Sequence, residues 1–298
     1  MSTIDTGRPA APGARAMLPW ALLVAATLAF IYAPVLADLW SDWSHDDNYS
    51  HGFLVPPVTA YLLWSRRADL AKAPLRVDLR ALLLVIPALA LLLLGTAGAE
   101  YFLQRTSLVM LLGGLLWFGC GAEWARLCVF PVAFLQFAVP IPYVVYYSLS
   151  FPLQQLAAKL ATAGLSAIQI PAVRIGNTIE LPTGFLEVAE ACSGLRSLVS
   201  LLALGALWGR FGQERAWKRW FVFLSTVPIA IAGNALRVFA TGLGVYLGGQ
   251  KWAEGAIHES MGLLVFAFAM VALALVSATL RGGIKLHIPP PPPPSEVP

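Results

Sequence analysis

The stretch from Met261 to Leu280 reads MGLLVFAFAMVALALVSATL and contains no charged residue. A transmembrane α-helix needs about 20 consecutive apolar residues to cross the hydrocarbon core of a bilayer. This stretch has that length, and it lies between the charged residues Glu259 and Arg281. It therefore predicts a membrane-spanning helix, and it decides the class of fold to which the chain belongs.

The composition extends this prediction to the whole chain. Of 298 residues, 58% are hydrophobic and 12% are charged, which is about half the charged share of a typical soluble domain. The hydrophobic residues come in long blocks that approach the length of a membrane span. We predict an all-α polytopic membrane protein with about seven to eight transmembrane helices. The basic loops between spans account for the net positive charge, so no nucleic acid partner is expected.

The apolar blocks divide the chain into three parts. Residues 1–16 and the proline-rich residues 283–298 are predicted to be disordered tails, and residues 17–282 an integral-membrane domain. The predicted spans cover approximately residues 17–37, 52–64, 81–98, 106–121, 127–139 and 192–209, a block from residue 220, and residues 258–280.

Lysine and arginine clusters predict the orientation of these spans. One basic loop lies between residues 66 and 80 and a second between residues 210 and 219. Basic loops stay on the cytoplasmic side of a membrane, so both loops and both termini are predicted to be cytoplasmic, in a bacterial inner membrane. This requires that Tyr143 to Ile168 does not cross, and we interpret that segment as an interfacial or re-entrant helix. The acidic loop from Asp38 to Asp47 is then external.

A short segment between residues 173 and 189 differs from the helical blocks. Its β-type residues are separated by the turn signals Gly176-Asn177 and Pro182-Thr183-Gly184. We predict a small extracytoplasmic hairpin or loop directly before the helix that begins near Cys192.

Cys192 is the candidate nucleophile. It lies in the stretch Glu190-Ala191-Cys192-Ser193-Gly194-Leu195-Arg196, where the polar loop becomes a helix. The backbone N–H groups at a helix N-terminus favour a thiolate, and Arg196, one turn later, would add positive potential. Glu190 and Arg196 are candidate supporting residues. A buried structural cysteine is the alternative, and we expect that role for Cys120 and Cys128.

Two further polar groups lie near the predicted outer ends of spans. Arg237 follows Asn234 by one turn within an apolar block, and a guanidinium there can stabilise a developing oxyanion. His258 begins the last span and can act as a general acid and base near neutral pH. The alternatives are an arginine that extends to the interface or pairs structurally, and an ordinary interfacial histidine.

The first external loop also contains histidines. His51 lies on the same predicted side as His258, and it is a weaker candidate for substrate binding. His45, His51, Asp46 and Asp47 match no strong metal-ligand spacing, so no metal and no cofactor is predicted.

These motifs together resemble the exosortase/archaeosortase family. The resemblance rests on the Cys192 stretch through Leu198, on Asn234-x-x-Arg237, and on His258 at the start of the last span. The stretch from Tyr49 to Pro56, followed by Leu63-Trp64 and Arg66-Arg67, is similar to the N-terminal signature of that family.

The resemblance implies a membrane-embedded, sortase-like cysteine protease or transpeptidase. By that likeness Cys192 is the nucleophile, Arg237 the oxyanion or substrate-orienting group, and His258 the acid/base. The implied partners are membrane lipids and secreted proteins that carry a C-terminal sorting tail of the PEP-CTERM type, which consists of a recognition motif, a transmembrane helix and a basic end. The alternatives from other classes are a polytopic transporter and a non-catalytic subunit of an exopolysaccharide export system.

Overall fold

The computed structural model describes residues 14–188, 194–253 and 255–281, without the side chains of residues 14–18, 20, 21 and 255–259. The predicted terminal tails lie almost wholly outside this range, as do Glu190 and Cys192. The described chain forms two compact units, of which the first ends at Tyr146 and the second begins at Tyr147.

The first unit is helical. Its longer helices are α1 (Ala14–His45), α2 (Val55–Ser65), α3 (Arg67–Lys72), α4 (Leu82–Ala97), α5 (Tyr101–Cys120) and α6 (Ala122–Phe134), and α7 (Tyr143–Ala167) begins here. Short 3-10 helices lie at Ser50–Leu54, Leu79–Ala81 and Leu135–Ala138. Helix α5 packs between α4 and α6 and also contacts α1.

The core of this unit is built on the buried stripe of α1. Tyr32, Val35 and Leu39 follow one another at helical spacing and pack against Val85 of α4 and Leu111 of α5. The hydroxyl group of fully buried Tyr32 forms a 2.9 Å hydrogen bond with the hydroxyl of Ser107. Because a buried hydroxyl without a partner is costly, this bond fixes α1 against α5.

The acidic segment after the first span differs from the prediction. We expected the helix to end at residue 37 and a loop to begin at Asp38, but α1 continues to His45. The apolar stripe itself continues with Leu39. Asp42, on the next turn, forms an ion pair with Arg105 at 2.7 Å. These contacts offset the cost of keeping the acidic residues helical.

The connections on both sides of α5 are also shorter than predicted. The connection between the spans predicted at residues 81–98 and 106–121 is mostly helix, because the Glu100 carboxylate accepts a hydrogen bond from the Leu103 N–H at 3.0 Å and caps the N-terminus of α5. At the other end, Gly121 has a φ of +94° and separates α5 from α6. A Cβ atom there would lie 2.8 Å from the carbonyl oxygen of Arg76, so this turn requires glycine.

The second unit contains most of α7, a small sheet, and α8 (Leu195–Gly212), α9 (Ala216–Gly248) and α10 (Gly255–Arg281). Helices α8, α9 and α10 contact one another in pairs and form a bundle. Their shared core includes Leu201, Ala230 and Ala269, one residue from each helix. Small residues allow close helix approach, and Gly205 of α8 lies directly against Thr226 of α9.

The predicted hairpin is a three-stranded antiparallel sheet. Its strands are β1 (Val173–Ile175), β2 (Thr178–Leu181) and β3 (Gly184–Glu187), in the order β1-β2-β3. Both predicted turn signals form two-residue loops, since Ile175 pairs with Thr178 and Leu181 pairs with Gly184. The inner face of the sheet packs on α7 and on the C-terminal third of α9.

The helices are those of a multi-pass membrane protein, which confirms the predicted fold class. Five described segments are long and apolar enough to cross a bilayer: Leu22–His45, Leu79–Ala97, Tyr101–Cys120, Ala216–Gly248 and Ser260–Arg281. A sixth is added if the bent pair Ala122–Ala138 and Tyr143–Ala167 forms one broken span or re-entrant loop.

The predicted total of seven to eight spans included two weaker helices. Helix α2 has only 11 residues, and α8 contains Arg196 and Arg210 within its 18 residues. Neither has both the length and the apolar content of the five segments above. The segment from Tyr143 to Ile168 is helical up to Ala167, as an interfacial or re-entrant helix would be. That this segment does not cross the membrane stays a prediction.

Candidate active site

Helix α9 separates two chemically different ends of the second unit. At its first turn, the Lys218 ammonium donates a hydrogen bond to the carbonyl oxygen of Leu280, near the end of α10. The Arg219 Nε donates to the carbonyl oxygen of Gln213 at 2.8 Å and satisfies the end of α8. Arg237 lies 19 residues after Lys218, or about 28 Å along the helix. The basic end and Arg237 are therefore about one hydrocarbon thickness apart.

Asn234 connects α9 to the beginning of α8. Its side chain is 7% exposed. Gly194, the residue before α8, has a φ of +76°, and a Cβ atom on it would lie 2.7 Å from Cγ of Asn234. The amide group thus covers the Cα atom of Gly194. Because Gly194 is two residues after Cys192, this contact brings the cysteine motif to the same turn of α9 that carries Asn234.

Arg237 makes the equivalent contact with α10. A Cβ atom on Gly262 would lie 3.2 Å from Cζ of Arg237 and 3.3 Å from its Nη2. The half-buried guanidinium therefore packs closely against this turn of α10. Any residue larger than glycine at position 262 would require the Arg237 side chain to shift. Gly262 follows His258 by one helical turn. Gly262 thus permits the close approach of the Arg237 side chain to α10.

A narrow cleft joins these contacts. It has room for about one water molecule, about 10 Å³. Its polar lining comes from Ser197, Asn234 and Arg237, and its apolar lining includes Leu201, Val265 and Phe266. A low-dielectric wall beside a guanidinium strengthens the attraction between that guanidinium and any negative charge that forms next to it. The cleft can therefore stabilise an oxyanion.

Three of the predicted site residues are described only in part or not at all. Cys192 and Glu190 lie outside the described residues. His258 lies in the first turns of α10, but its side chain is outside the description. Arg196 lies in the first turn of α8, half-buried, and its carbonyl oxygen accepts a hydrogen bond from the Ser200 hydroxyl. The described part of the site thus consists of Gly194, Asn234, Arg237 and Gly262.

The N-terminal signature has a structural task in the first unit. His51 Nε2 donates a hydrogen bond to the carbonyl oxygen of Phe137 at 3.2 Å. The indole N–H of Trp43 donates to the carbonyl oxygen of Ala138 at 2.9 Å. Tyr49 donates to the carbonyl oxygen of Ile141. These carbonyls lie at the end of the 3-10 helix Leu135–Ala138 and in the segment after it, which contains Pro140 and Pro142, so side-chain donors supply bonds that a continuing helix would otherwise provide. The substrate-binding role of His51 stays a prediction.

The remaining cysteines and acidic residues form no second candidate site. Cys128 is 2% exposed and Cys120 is half-buried, and both are free thiols, as expected for structural cysteines. Within the described ranges, no three potential metal ligands among histidine, cysteine, aspartate and glutamate lie together.

Sequence reasoning missed two features of the site. Ser197 lies within the quoted cysteine motif and lines the cleft, and its position five residues after Cys192, on the same helix face as Leu201, was the available signal. The left-handed backbone of Gly194 was also missed, although a glycine directly before an apolar helical run is a recognised N-terminal signal.

Comparison with known proteins identifies a family. The sequence model of the family described as "Transmembrane exosortase (Exosortase_EpsH)" matches residues 43–275, which is more than three quarters of the chain. No curated protein and no solved structure matches. At the level of the family, the match indicates a membrane sortase-like transpeptidase. Because the match covers most of the chain, the chain belongs to the transmembrane exosortase family.

Proposed function

We propose that this protein is a cysteine-type protease or transpeptidase that cleaves the C-terminal sorting tails of secreted proteins. Cys192 is the nucleophile, Arg237 stabilises the oxyanion, and His258 is the general acid and base. The observation that carries the proposal is the pair of contacts made by α9: Asn234 on Gly194, beside the cysteine motif, and Arg237 on Gly262, one turn after His258.

The chemistry follows from these roles. The Cys192 thiolate attacks the carbonyl carbon of the scissile peptide bond, and an S–C bond forms while the carbonyl oxygen becomes negative beside Arg237. The tetrahedral intermediate then collapses, the C–N bond breaks, and His258 gives its proton to the leaving amine. Water or an external amine next attacks the thioester, loses a proton to His258, and releases the shortened protein and the thiolate.

The substrate class follows from the membrane setting. A secreted protein whose C-terminal tail contains a transmembrane helix can diffuse laterally to the bundle. Tails of the PEP-CTERM type contain such a helix. The predicted topology would place Cys192 at the outer face of the bacterial inner membrane and both termini in the cytoplasm. In this arrangement the basic end of the second unit faces the cytoplasm, as the positive-inside rule requires.

Processing of a co-expressed reporter protein tests the proposal. The reporter carries a candidate sorting tail from the same genome, and its shortened product is measured by immunoblotting. We expect Cys192→Ala to abolish the product. Arg237→Ala should reduce the rate by about 100-fold or more, as for loss of an oxyanion donor, and His258→Ala by about 100-fold or more, as for loss of a general acid.

The chain offers a matched control for each variant. Cys120→Ala, Arg67→Ala and His45→Ala remove the same side chains in the first unit, where none of them lines the cleft, and Arg67 and His45 are exposed. We expect all three to process the reporter normally at equal membrane abundance. A hydroxylamine-sensitive adduct between the reporter and Cys192 should also accumulate when deacylation is slowed. Full processing by Cys192→Ala would contradict acyl transfer and would favour the transporter or export-subunit alternative.

A further inference from the structure

The sheet next to the cysteine motif has a solvent-facing side with an unusual composition. Strand register places Val173, Glu180 and Phe185 in one row, and Ile175, Thr178 and Glu187 in the next. Val173, Ile175 and Phe185 are each 56–60% exposed. On β2 and β3 the alternate side chains Ile179 and Leu186 are buried on the opposite face, whereas Arg174 of β1 is exposed. Large apolar groups and two carboxylates thus share one exposed surface.

The outer edge of β3 is available for backbone pairing. In a two-residue hairpin, the residues that flank the loop form a hydrogen-bonded pair, and paired and non-paired positions then alternate. Leu181 and Gly184 flank the loop, so Leu186 bonds to β2 while Phe185 and Glu187 direct their N–H and C=O groups away from it. Among the described residues, no group bonds to these four backbone atoms.

The position of this edge connects it to the candidate active site. Thr183, in the loop before β3, donates a hydrogen bond to the carbonyl oxygen of Val245 at 3.0 Å, and Leu186 packs near Gly242. Gly242 lies 24 residues after Lys218, or about 36 Å along α9, which exceeds the hydrocarbon thickness. The sheet therefore lies beyond the Arg237 end of the bundle. Strand β3 ends five residues before Cys192.

A peptide substrate must pass the level of the sheet, beyond the Arg237 end of the bundle. In the proposed function, the segment that precedes the membrane anchor emerges at the Arg237 end and has to be extended for its carbonyl group to be attacked. Exposed strand edges bind extended peptides as added strands, with main-chain hydrogen bonds for affinity and alternate side chains for specificity. Glu180 and Glu187 disfavour the competing use of this face as a contact with anionic lipid headgroups.

We propose that the outer edge of β3 binds the extended segment preceding the substrate's membrane anchor as a fourth strand, with an apolar residue opposite Phe185 and a hydrogen-bond-donating residue opposite Glu187. The two recognised residues are two positions apart, because side chains on one face of a strand alternate. Acidic residues opposite Glu187 are rejected by like charge. The identity of the occupant rests on the proposed function.

Binding can be measured without cleavage. The full-length Cys192→Ala protein, purified in detergent, is titrated with fluorescent synthetic peptides that cover the segment before the anchor of a candidate substrate. Adding Phe185→Ala should weaken binding by about threefold, and adding Glu187→Lys by about fivefold. Ile175→Ala and Glu180→Lys change a large apolar and an acidic residue on the same face, on β1 and β2 rather than on β3, and should leave affinity unchanged.

A scan of backbone N-methylation along the peptide tests the pairing directly. A strand added to β3 directs every second N–H to the enzyme, so N-methylation at alternate residues should weaken binding by about tenfold, and at the intervening residues much less. This period of two is specific to strand addition. A peptide held only by its side chains would show no such alternation.

The outcomes separate this inference from the proposed function. Equal losses in the edge variants and the control variants, or an N-methyl scan without a period of two, would overturn the strand addition. Strand addition is likewise contradicted if Glu187→Lys leaves peptide affinity unchanged but increases binding to anionic vesicles, because the face is then a lipid contact. Reporter processing by otherwise wild-type Cys192→Ala would contradict acyl transfer while leaving the peptide-binding results intact.

Discussion

At the scale of single residues, the site depends on two glycines that act as surfaces for polar side chains. The Asn234 amide packs against Gly194, and the Arg237 guanidinium packs against Gly262. A side chain on either glycine would displace the polar group from α9 rather than a flexible apolar neighbour. We therefore propose that Asn234 is a positioning residue, which sets the distance between the start of α8 and the turn of α9 that carries Arg237.

Gly194→Ala tests this role, with Gly176→Ala as its control. Both glycines have left-handed backbone angles, φ +76° and +65°, so each alanine costs about 1 kcal/mol of folding stability. Only at Gly194 does the added methyl group also meet Asn234, whereas at Gly176 nothing lies within 4 Å. We expect Gly194→Ala to lower kcat for reporter-peptide cleavage by about tenfold or more with little change in KM, and Gly176→Ala to change neither. Equal reductions of kcat in Gly194→Ala and Gly176→Ala would show that backbone strain alone causes the loss of activity.

His51 predicts a pH dependence of stability in the first unit. Burial lowers the pKa of His51 below its usual value, while its hydrogen bonds to Phe137 and Asn48 oppose that shift. The folded pKa is depressed, so between that pKa and about 6.5 the unfolded chain binds more protons than the folded one. Stability should therefore fall as the pH decreases below about 6.5. The melting temperature in detergent at pH 7.5 and 5.5 measures the effect.

Replacing the histidine isolates its contribution. His51→Gln can keep a donor for the Phe137 carbonyl oxygen but does not titrate, so the loss of stability on acidification should be smaller than in the wild type. His45→Gln changes an exposed histidine and should leave the pH dependence as it is. An identical pH dependence in His51→Gln and the wild type would contradict this account.

At the scale of elements, the extension of α1 depends on an ion pair that its sequence does not reveal. Arg105 is 6% exposed within α5, and its Nη1 lies 2.7 Å from Oδ2 of Asp42. A buried guanidinium without its carboxylate is expensive. The pair thus specifies that the last turns of α1 remain helical and lie against the beginning of α5.

A double-mutant cycle measures this coupling. Asp42→Asn should lower the free energy of unfolding by about 2–4 kcal/mol, because it leaves the buried Arg105 charge uncompensated while Asp42 itself is partly exposed. Adding Arg105→Met should recover part of the loss, since it removes the buried charge. Asp38→Asn, one turn earlier on α1, should change stability by less than about 0.5 kcal/mol. Strictly additive effects of Asp42→Asn and Arg105→Met would show that the ion pair contributes nothing.

The elements that could be predicted from the sequence are those specified by local patterns. The apolar block predicted at residues 81–98 is α4, and the two turn signals at Gly176-Asn177 and Pro182-Thr183 form the loops of the sheet. Each of these signals lies within about 20 consecutive residues.

The features that escaped prediction depend on distant partners. Asp38 to His45 reads as an acidic loop until Arg105, more than 60 residues later, provides a partner for Asp42. The contact between Asn234 and Gly194 joins positions 40 residues apart, so no local pattern could have indicated it.

At the scale of the whole molecule, the second unit has the polarity that an enzyme at a membrane surface requires. Four basic residues, Arg210, Arg215, Lys218 and Arg219, lie where α8 ends and α9 begins, and Lys218 and Arg219 bond to helix ends there. Asn234 and Arg237 lie about one hydrocarbon thickness along α9 from that end, and the sheet lies further in the same direction. If the basic end faces the cytoplasm, the cleft opens near the outer interface, where an anchored secreted protein presents its tail.

Labelling of single cysteines with a membrane-impermeant thiol reagent tests this polarity. In a background with Cys120→Ser, Cys128→Ser and Cys192→Ser, we place Gly176→Cys in the sheet or Glu214→Cys between α8 and α9, two exposed positions. In intact spheroplasts Gly176→Cys should be labelled at once, and Glu214→Cys only after permeabilisation, since the positive-inside rule keeps its basic neighbours in the cytoplasm. The reverse pattern would place the cleft on the cytoplasmic side, where secreted substrates are absent, and would remove the proposed mechanism. The predicted pattern would instead place the charge of Arg237 near the outer interface. The contact of its guanidinium with Gly262 then accounts for this arginine better than a role in the passage of an ion through the bundle.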